Sequence, residues 1–233
     1  MKTNVSKMQT NRRAFISTLA AGAASIGLAS LAPLQTEALE LTDLNREPKS
    51  PDDLFAGMKG KHRIVFDVPK PNELMPFAWP RVFLLTNQAT GSTEKDCNVA
   101  VILRHNGIPY AFESKVWEKY KFGEVFKADD PATKAPATRN PFWQPKKGDY
   151  KIPGFGEVSI GINELQDSGV LFFVCSAAIT VFSAVVAEGM KMEPEAVKKD
   201  WLASLLPNVH EVPSGVWAVG RAQEHGCAYC FAG

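Results

Sequence analysis

Histidine and cysteine, the side chains that most often bind transition metals, are scarce in this chain: its 233 residues include four of each. The histidines show no ligand spacing, and no cysteine and histidine pair stands at zinc-finger distance. The sequence also has no glycine-rich phosphate loop and no serine in a nucleophile elbow. These absences argue against a zinc site, a nucleotide site and a serine hydrolase, so we expect neither a metal nor a cofactor.

An excess of charge of either sign is also missing, because 26 basic residues face 25 acidic ones and the formal net charge is +1. No basic block and no alternation of basic and aromatic residues is present, so nucleic acid is not an expected partner. Beyond the N-terminal region, no stretch is long and apolar enough to span a bilayer. We therefore expect a single soluble domain once the N-terminal segment is removed.

That N-terminal segment has the layout of an export signal. A basic region containing Arg12 and Arg13 precedes a weakly apolar, alanine- and glycine-rich stretch over 14–32, and a small-residue cleavage site ends at Ala38. The adjacent arginines favour the twin-arginine route. We predict that residues 1–38 are a twin-arginine signal peptide and that the mature protein is periplasmic. The alternative is a membrane anchor, which the weak hydrophobicity of the stretch disfavours.

Strand and helix patterns alternate along the rest of the chain. Residues 39–60 are polar, contain prolines and show no sustained period, which indicates a tether or surface arm. Strands are predicted at 62–68, 97–107, 170–174, 208–215 and 227–233. Helices are predicted at about 79–90, 114–126, 158–169, 177–188, from 193 onward, and at 216–226. Because the strands are nearly continuous apolar runs, we predict a three-layer open α/β sheet, mainly parallel, over 61–233.

A proline-rich loop interrupts this alternation at 127–157. A connection of that length in a compact domain is usually functional or disordered. It contains four aromatic residues: Phe142, Trp143, Tyr150 and Phe155. We expect these aromatics to pack onto the body of the domain or onto a neighbouring subunit.

Candidate site residues follow three of the predicted strands. In open α/β sheets, ligands bind beyond the carboxyl ends of the strands. The residues found there are Arg104, His105, Asn106 and Gly107 after the second strand, Cys175 and Ser176 after the third, and Pro213, Ser214 and Gly215 after the fourth. A helix start and a nearby arginine or histidine would favour the thiolate of Cys175, the form that reacts as a nucleophile. Free cysteine is also among the most buried residue types, so core filling stays open as the alternative.

The pair Cys227 and Cys230 has the spacing of a redox motif. On a strand, however, residues three apart point to opposite faces and lie roughly 10 Å apart. That separation exceeds the reach of a disulfide. We interpret both as packing residues and rank a dithiol oxidoreductase behind the other interpretations.

Three segments together give the chain a family resemblance: "GVLFFVC", "VAVILRHNGIP" and "LLPNVHEVPSGVWAVGRAQEHGCAY". From His62 to the C-terminus, without the proline-rich loop, the sequence resembles the DsrE/DsrF-like family of small sulfur-relay proteins. The resemblance implies a flavodoxin-like three-layer fold and a homo-oligomer, either a trimer or a multiple of it. It also implies a sulfurtransferase or sulfur carrier that holds sulfur as a persulfide on a cysteine ending the third strand, the position of Cys175.

The resemblance therefore predicts an exported protein that binds or relays sulfane sulfur. Its partner would be a small sulfur-containing substrate or a partner thiol protein. The alternative is a non-catalytic oligomeric binding module in which Cys175 is a core residue.

Overall fold

The structure, a computed structural model, describes residues 50–233. The predicted signal peptide, and the predicted arm as far as residue 49, lie outside the described residues.

Five parallel strands form one sheet, in the order β6-β5-β2-β1-β7. Their bounds are His62–Val68 for β1, Cys97–Leu103 for β2, Leu171–Cys175 for β5, Val209–Val212 for β6 and Ala228–Phe231 for β7. Two further strands, β3 (Lys151–Ile152) and β4 (Gly156–Glu157), pair antiparallel in a small separate hairpin. The strand β2 is central, and its residues 99–103 are almost fully buried, as expected for a sheet covered on both faces.

Eight α-helices surround the sheet within the described range. They are α1 (Pro51–Gly57), α2 (Met75–Ala89), α3 (Ser114–Tyr120), α4 (Phe122–Val125), α5 (Ile162–Asp167), α6 (Ser176–Met190), α7 (Pro194–Leu202) and α8 (Gly215–Glu224). Short 3-10 turns occupy Glu94–Asp96 and His105–Ala111. None of the helices between residues 50 and 233 is both long and apolar enough to cross a bilayer.

Within residues 50–233, the core consists of two separate apolar clusters, one on each face of the sheet. On the first face, α2, α6 and α7 contribute Phe77, Ile179 and Trp201. On the second face, α1 and α8 contribute Phe55 and Ala218. The predicted three-layer, mainly parallel α/β architecture is therefore confirmed.

The last crossover sets the geometry of the sheet edges. The chain runs through β1, β2, β5 and β6 as successive neighbours and then returns to the opposite edge, where β7 pairs with β1. Helix α8 makes this return, and it contacts all five strands on the way. The C-terminal strand consequently lies beside the first strand, which brings residues from both ends of the domain together.

The segment predicted as a surface arm is packed where the structure describes it. Ser50 precedes helix α1, and its backbone N–H donates to Asp53 Oδ2 over 2.9 Å. Phe55 in this helix is fully buried, and its ring stacks 4.5 Å from that of Phe173. The packing of this helix could not be predicted from the polar composition of the segment, because a single aromatic residue, Phe55, makes the contact with Phe173.

Several element boundaries differ from the sequence prediction for local reasons. Helix α2 begins at Met75 rather than 79, since Pro76 lies in its first turn, where a proline is tolerated. The predicted helix over 114–126 is two helices, separated by Lys121 in the left-handed region with φ +52°. The second strand stops at Leu103, and His105 beyond it has φ +48°, which a strand cannot accommodate.

The proline-rich loop packs onto the body of its own chain. The buried side chain of Asn140 donates to the carbonyls of Tyr110 and Phe112 over 3.0 and 2.9 Å. The ring of Phe142 is fully buried, 4.2 Å from the ring of Phe77. Tyr150 is buried and Trp143 is partly buried against the same core, whereas Phe155 is 68% exposed at the hairpin.

Candidate functional site

A cleft of about 330 Å³ lies at the carboxyl ends of the central strands. Its walls are formed by Arg104, His105, Cys175, Ala177, Ala178, Val181, Phe182, Gly215 and Val216. Four of the nine predicted site residues meet in this cleft: Arg104, His105, Cys175 and Gly215. They come from the ends of β2 and β5 and from the start of α8, where the parallel topology predicts a ligand site.

Cys175 stands at the junction of a strand and a helix. It is the last residue of β5 and the N-cap of the 15-residue helix α6. Its Sγ accepts a hydrogen bond from the backbone N–H of Ala178 over 3.3 Å, and the residue is 6% exposed. A backbone donor and the positive end of a helix dipole both stabilise negative charge on a sulfur in this position.

Arg104 is held by a carboxylate that the sequence analysis did not identify. Its Nε donates to Asp67 Oδ1 over 2.7 Å, and its Nη2 donates to Asp67 Oδ2 over 2.9 Å. These hydrogen bonds raise the pKa of the Arg104 guanidinium, and the nearby Tyr229 and Cys175 side chains act in the same direction. The cation beside Cys175 is therefore one half of a bidentate ion pair.

Tyr229 completes this polar group from the opposite end of the chain. Its hydroxyl donates to Asp67 Oδ2 over 2.8 Å. Burial and the hydrogen bond to Asp67 raise the pKa of Tyr229. The one sequence signal that could have found the group is Asp67 itself, a charge inside the apolar run of β1, because buried charges are almost always paired.

Gly215 is at the cleft because the stem of Arg104 passes over the start of α8. A Cβ placed on Gly215 would lie 2.4 Å from Arg104 Cβ and 2.9 Å from its Cδ. Both distances are shorter than any real van der Waals contact. Glycine is thus required here by close approach, and the contact confines the aliphatic stem of Arg104.

His105 occupies the rim of the cleft. Its side chain is exposed, and its ring lies 5.4 Å from the ring of Phe182. The apolar part of the wall was not predicted as a site. Two of its members, Val181 and Val216, are 59% and 71% exposed on the helices α6 and α8.

The other five predicted site residues do not line the cleft: Asn106, Gly107, Ser176, Pro213 and Ser214. Three of them make structural contacts instead. A Cβ on Gly107 would lie 2.1 Å from the carbonyl oxygen of Val68, so this glycine permits the turn after β2 to pack on β1. Ser214 caps α8 by accepting from the Trp217 N–H, and the Pro213 carbonyl accepts from the Ala177 N–H.

The other three cysteines are free, as Cys175 is, and burial raises the pKa of each of them. Cys227 belongs to the core of the second face, whereas Cys230 packs against the core of the first face. The prediction that these two thiols point to opposite faces is therefore confirmed. Within residues 50–233, no group of histidine, cysteine and carboxylate side chains could hold a metal ion.

No protein-family model matches the chain, and no curated protein matches it. Among solved structures, the chain is similar to a protein of unknown function from Methanobacterium thermoautotrophicum. The two are 17% identical, and the TM-score is 0.36. The match covers 73% of this chain and 98% of that one.

Proposed function

We propose that the protein carries sulfane sulfur as a persulfide on Cys175. One observation carries the proposal: Cys175 lines an open cleft at the carboxyl ends of the strands, together with the cation Arg104. The resemblance to DsrE/DsrF-like proteins points to the same residue. No other cysteine within the described range lines this cleft.

The chemical step needs only a thiolate and a donor that already contains a sulfur–sulfur bond. The Cys175 thiolate attacks the outer sulfur of a persulfide donor, R–S–SH, and forms a new sulfur–sulfur bond. The bond inside the donor breaks, and the donor leaves as the thiolate R–S⁻. One sulfur atom moves with its proton and no external oxidant is used, so a partner thiol could later remove the sulfur by the same exchange.

Mass spectrometry of the folded protein after incubation with glutathione persulfide tests the proposal. We expect one added sulfur atom on the peptide that contains Cys175, and none in the Cys175→Ser variant. The matched control is Cys230→Ser, which removes a partly buried thiol outside the cleft and should leave the loading of Cys175 intact. Sulfur found on Cys97, Cys227 or Cys230 but never on Cys175 would contradict the relay.

The same experiment examines the second candidate, a non-catalytic oligomeric binding module. The observations that favour it are the 6% exposure of Cys175 and the role of its sulfur as the cap of α6. Under this alternative no cysteine of the folded protein takes up sulfur, and the cleft holds a ligand without reacting with it.

Three further expectations from the sequence belong to this proposal. We propose that the protein is of the DsrE/DsrF-like kind and is exported by the twin-arginine route. We also propose that it functions in the periplasm and that it forms a homo-oligomer. The apolar residues Val181 and Val185 on the outer side of α6, each more than half exposed, are consistent with a subunit contact. A monomeric mass in ultracentrifugation at micromolar concentration would contradict the assembly.

A further inference from the structure

Asp67 is a buried charge whose oxygens are both engaged. It lies on β1, the strand between β2 and β7, and its side chain is 3% exposed. Oδ1 accepts from Arg104 Nε, and Oδ2 accepts from Arg104 Nη2 and from the Tyr229 hydroxyl. A two-pronged pair of this kind fixes the plane of the guanidinium as well as its distance, which a single contact to an ammonium cannot do.

The ion pair with Asp67 uses Nε and Nη2 of the Arg104 guanidinium but not Nη1. Nη1 of Arg104 makes no hydrogen bond to any residue in the described part of the chain. The Arg104 side chain is 28% exposed, and it borders the same cleft as Cys175. Gly215 confines the aliphatic stem, so both ends of the side chain are constrained.

We propose that Asp67 is a positioning residue, which holds Arg104 so that its free N–H groups bind the anionic end of the molecule that reacts with Cys175. This inference rests on the proposed function and narrows it to sulfur donors that carry negative charge. Asp67 does not touch the donor and acts only through Arg104.

A competing role for Asp67 makes the opposite prediction. If the carboxylate served only to neutralise Arg104, its removal would increase the positive potential at the cleft and attract anions more strongly. If Asp67 positions Arg104, its removal frees the guanidinium to turn towards water, and the cleft loses its anion contact. The sign of the change therefore separates the two roles.

The experiment compares two alkylating reagents of similar size, iodoacetate, which is anionic, and iodoacetamide, which is neutral. Both react with the same thiolate, so the ratio of their rates at Cys175 cancels the thiolate fraction and reports the local charge. The rates are measured on the folded protein at low ionic strength, where exposed charges are least screened, and peptide mass spectrometry assigns the modified cysteine. The ratio is the iodoacetate rate divided by the iodoacetamide rate. In the wild type we expect it to be about fivefold above that of Arg104→Gln, because a unit charge at 4 Å in water contributes about 1 kcal/mol.

Asp67→Asn should lower this ratio to that of Arg104→Gln, although it adds positive charge to the protein. The matched control is Asp200→Asn, because Asp200 likewise accepts from a cation and a tyrosine hydroxyl, those of Lys119 and Tyr120, but lies on α7 outside the cleft. Its ratio should equal that of the wild type. A ratio in Asp67→Asn that stays unchanged or rises would overturn the proposal.

Arg104→Lys keeps the test decisive if Asp67→Asn does not fold. A lysine retains the charge but cannot form the two-pronged contact, so we expect the ratio to fall nonetheless; a wild-type ratio in this variant would refute the positioning role. Failure of Cys175 to react with either reagent would also refute it, because the cleft would then be closed to ligands. A lowered ratio with no sulfur loading on Cys175 would instead contradict the proposed function alone.

Discussion

Replacing Gly215 by alanine tests the contact that shapes the wall of the cleft. The added methyl group would lie 2.4 Å from Arg104 Cβ, 2.9 Å from its Cδ and 3.1 Å from its Cγ. The Cβ atom of Arg104 is attached directly to the backbone after β2, so a change in the side-chain rotamer of Arg104 cannot move it away. Either the start of α8 or the backbone at Arg104 has to shift.

The magnitude follows from two opposing effects. Overpacking a well-packed site typically costs about 1–3 kcal/mol. Alanine in place of glycine returns about 0.4–1 kcal/mol, because it restricts the unfolded chain. The steric effect is the larger, so we expect the free energy of unfolding to fall by about 1–2 kcal/mol.

Gly220→Ala is the matched control, since it makes the same chemical change in the same helix. A Cβ on Gly220 meets nothing within 4 Å. Alanine is favoured over glycine inside a helix by about 0.5–1 kcal/mol, so this variant should be more stable than the wild type.

Urea unfolding of both variants, followed by circular dichroism, measures the two changes. The expected results have opposite signs. Gly215→Ala as stable as Gly220→Ala would refute the close approach of Arg104 to the start of α8.

Three further predictions concern the loop, acid stability and export. Phe142→Ala removes a buried ring, so in the same urea assay it should lower the free energy of unfolding by about 3–5 kcal/mol. Phe155→Ala removes an exposed ring and should change that free energy by less than about 0.5 kcal/mol. Hydrogen bonds from neighbouring lysine and tyrosine side chains hold the pKa of Asp200 below its ordinary value. The resulting stabilisation is present at pH values above the ordinary pKa and is lost as the pH falls through the lowered pKa. Between about pH 5 and pH 2, Asp200→Asn should therefore lose less stability than the wild type loses, as measured by urea titrations. Replacing Arg12 and Arg13 by lysine should leave precursor in the cytoplasm, and unchanged periplasmic yield on fractionation would exclude the twin-arginine route.

Local patterns determined much of the fold. The run at 62–68 is a strand over its full predicted length, and the opposite faces of Cys227 and Cys230 follow from the two-residue period of a strand. The apolar run that ends in Cys175 likewise predicted a thiol where a strand meets a helix. Each of these features depends on residues close together in the chain.

Other local features depended on contacts that no pattern displays. The tether interpretation over 39–60 did not include the burial of Phe55, because a helix of seven residues with one aromatic anchor has no detectable period. Glycine at position 215 was recognised as part of the strand-end group, but the reason for it is a contact with Arg104, more than a hundred residues earlier.

Only the tertiary structure decided the charge environment of the candidate site. Asp67 lies 37 residues from Arg104 and 162 residues from Tyr229 in the chain, yet all three side chains are joined by hydrogen bonds. They meet because the last strand returns to pair with the first, and the order of strands in a sheet is set by how the helices cover its two faces rather than by any one segment. The sequence alone thus predicted a cysteine and an arginine at the carboxyl ends of neighbouring strands. The crossover of α8 supplied the third hydrogen bond to the carboxylate, from Tyr229, and the glycine that confines the arginine.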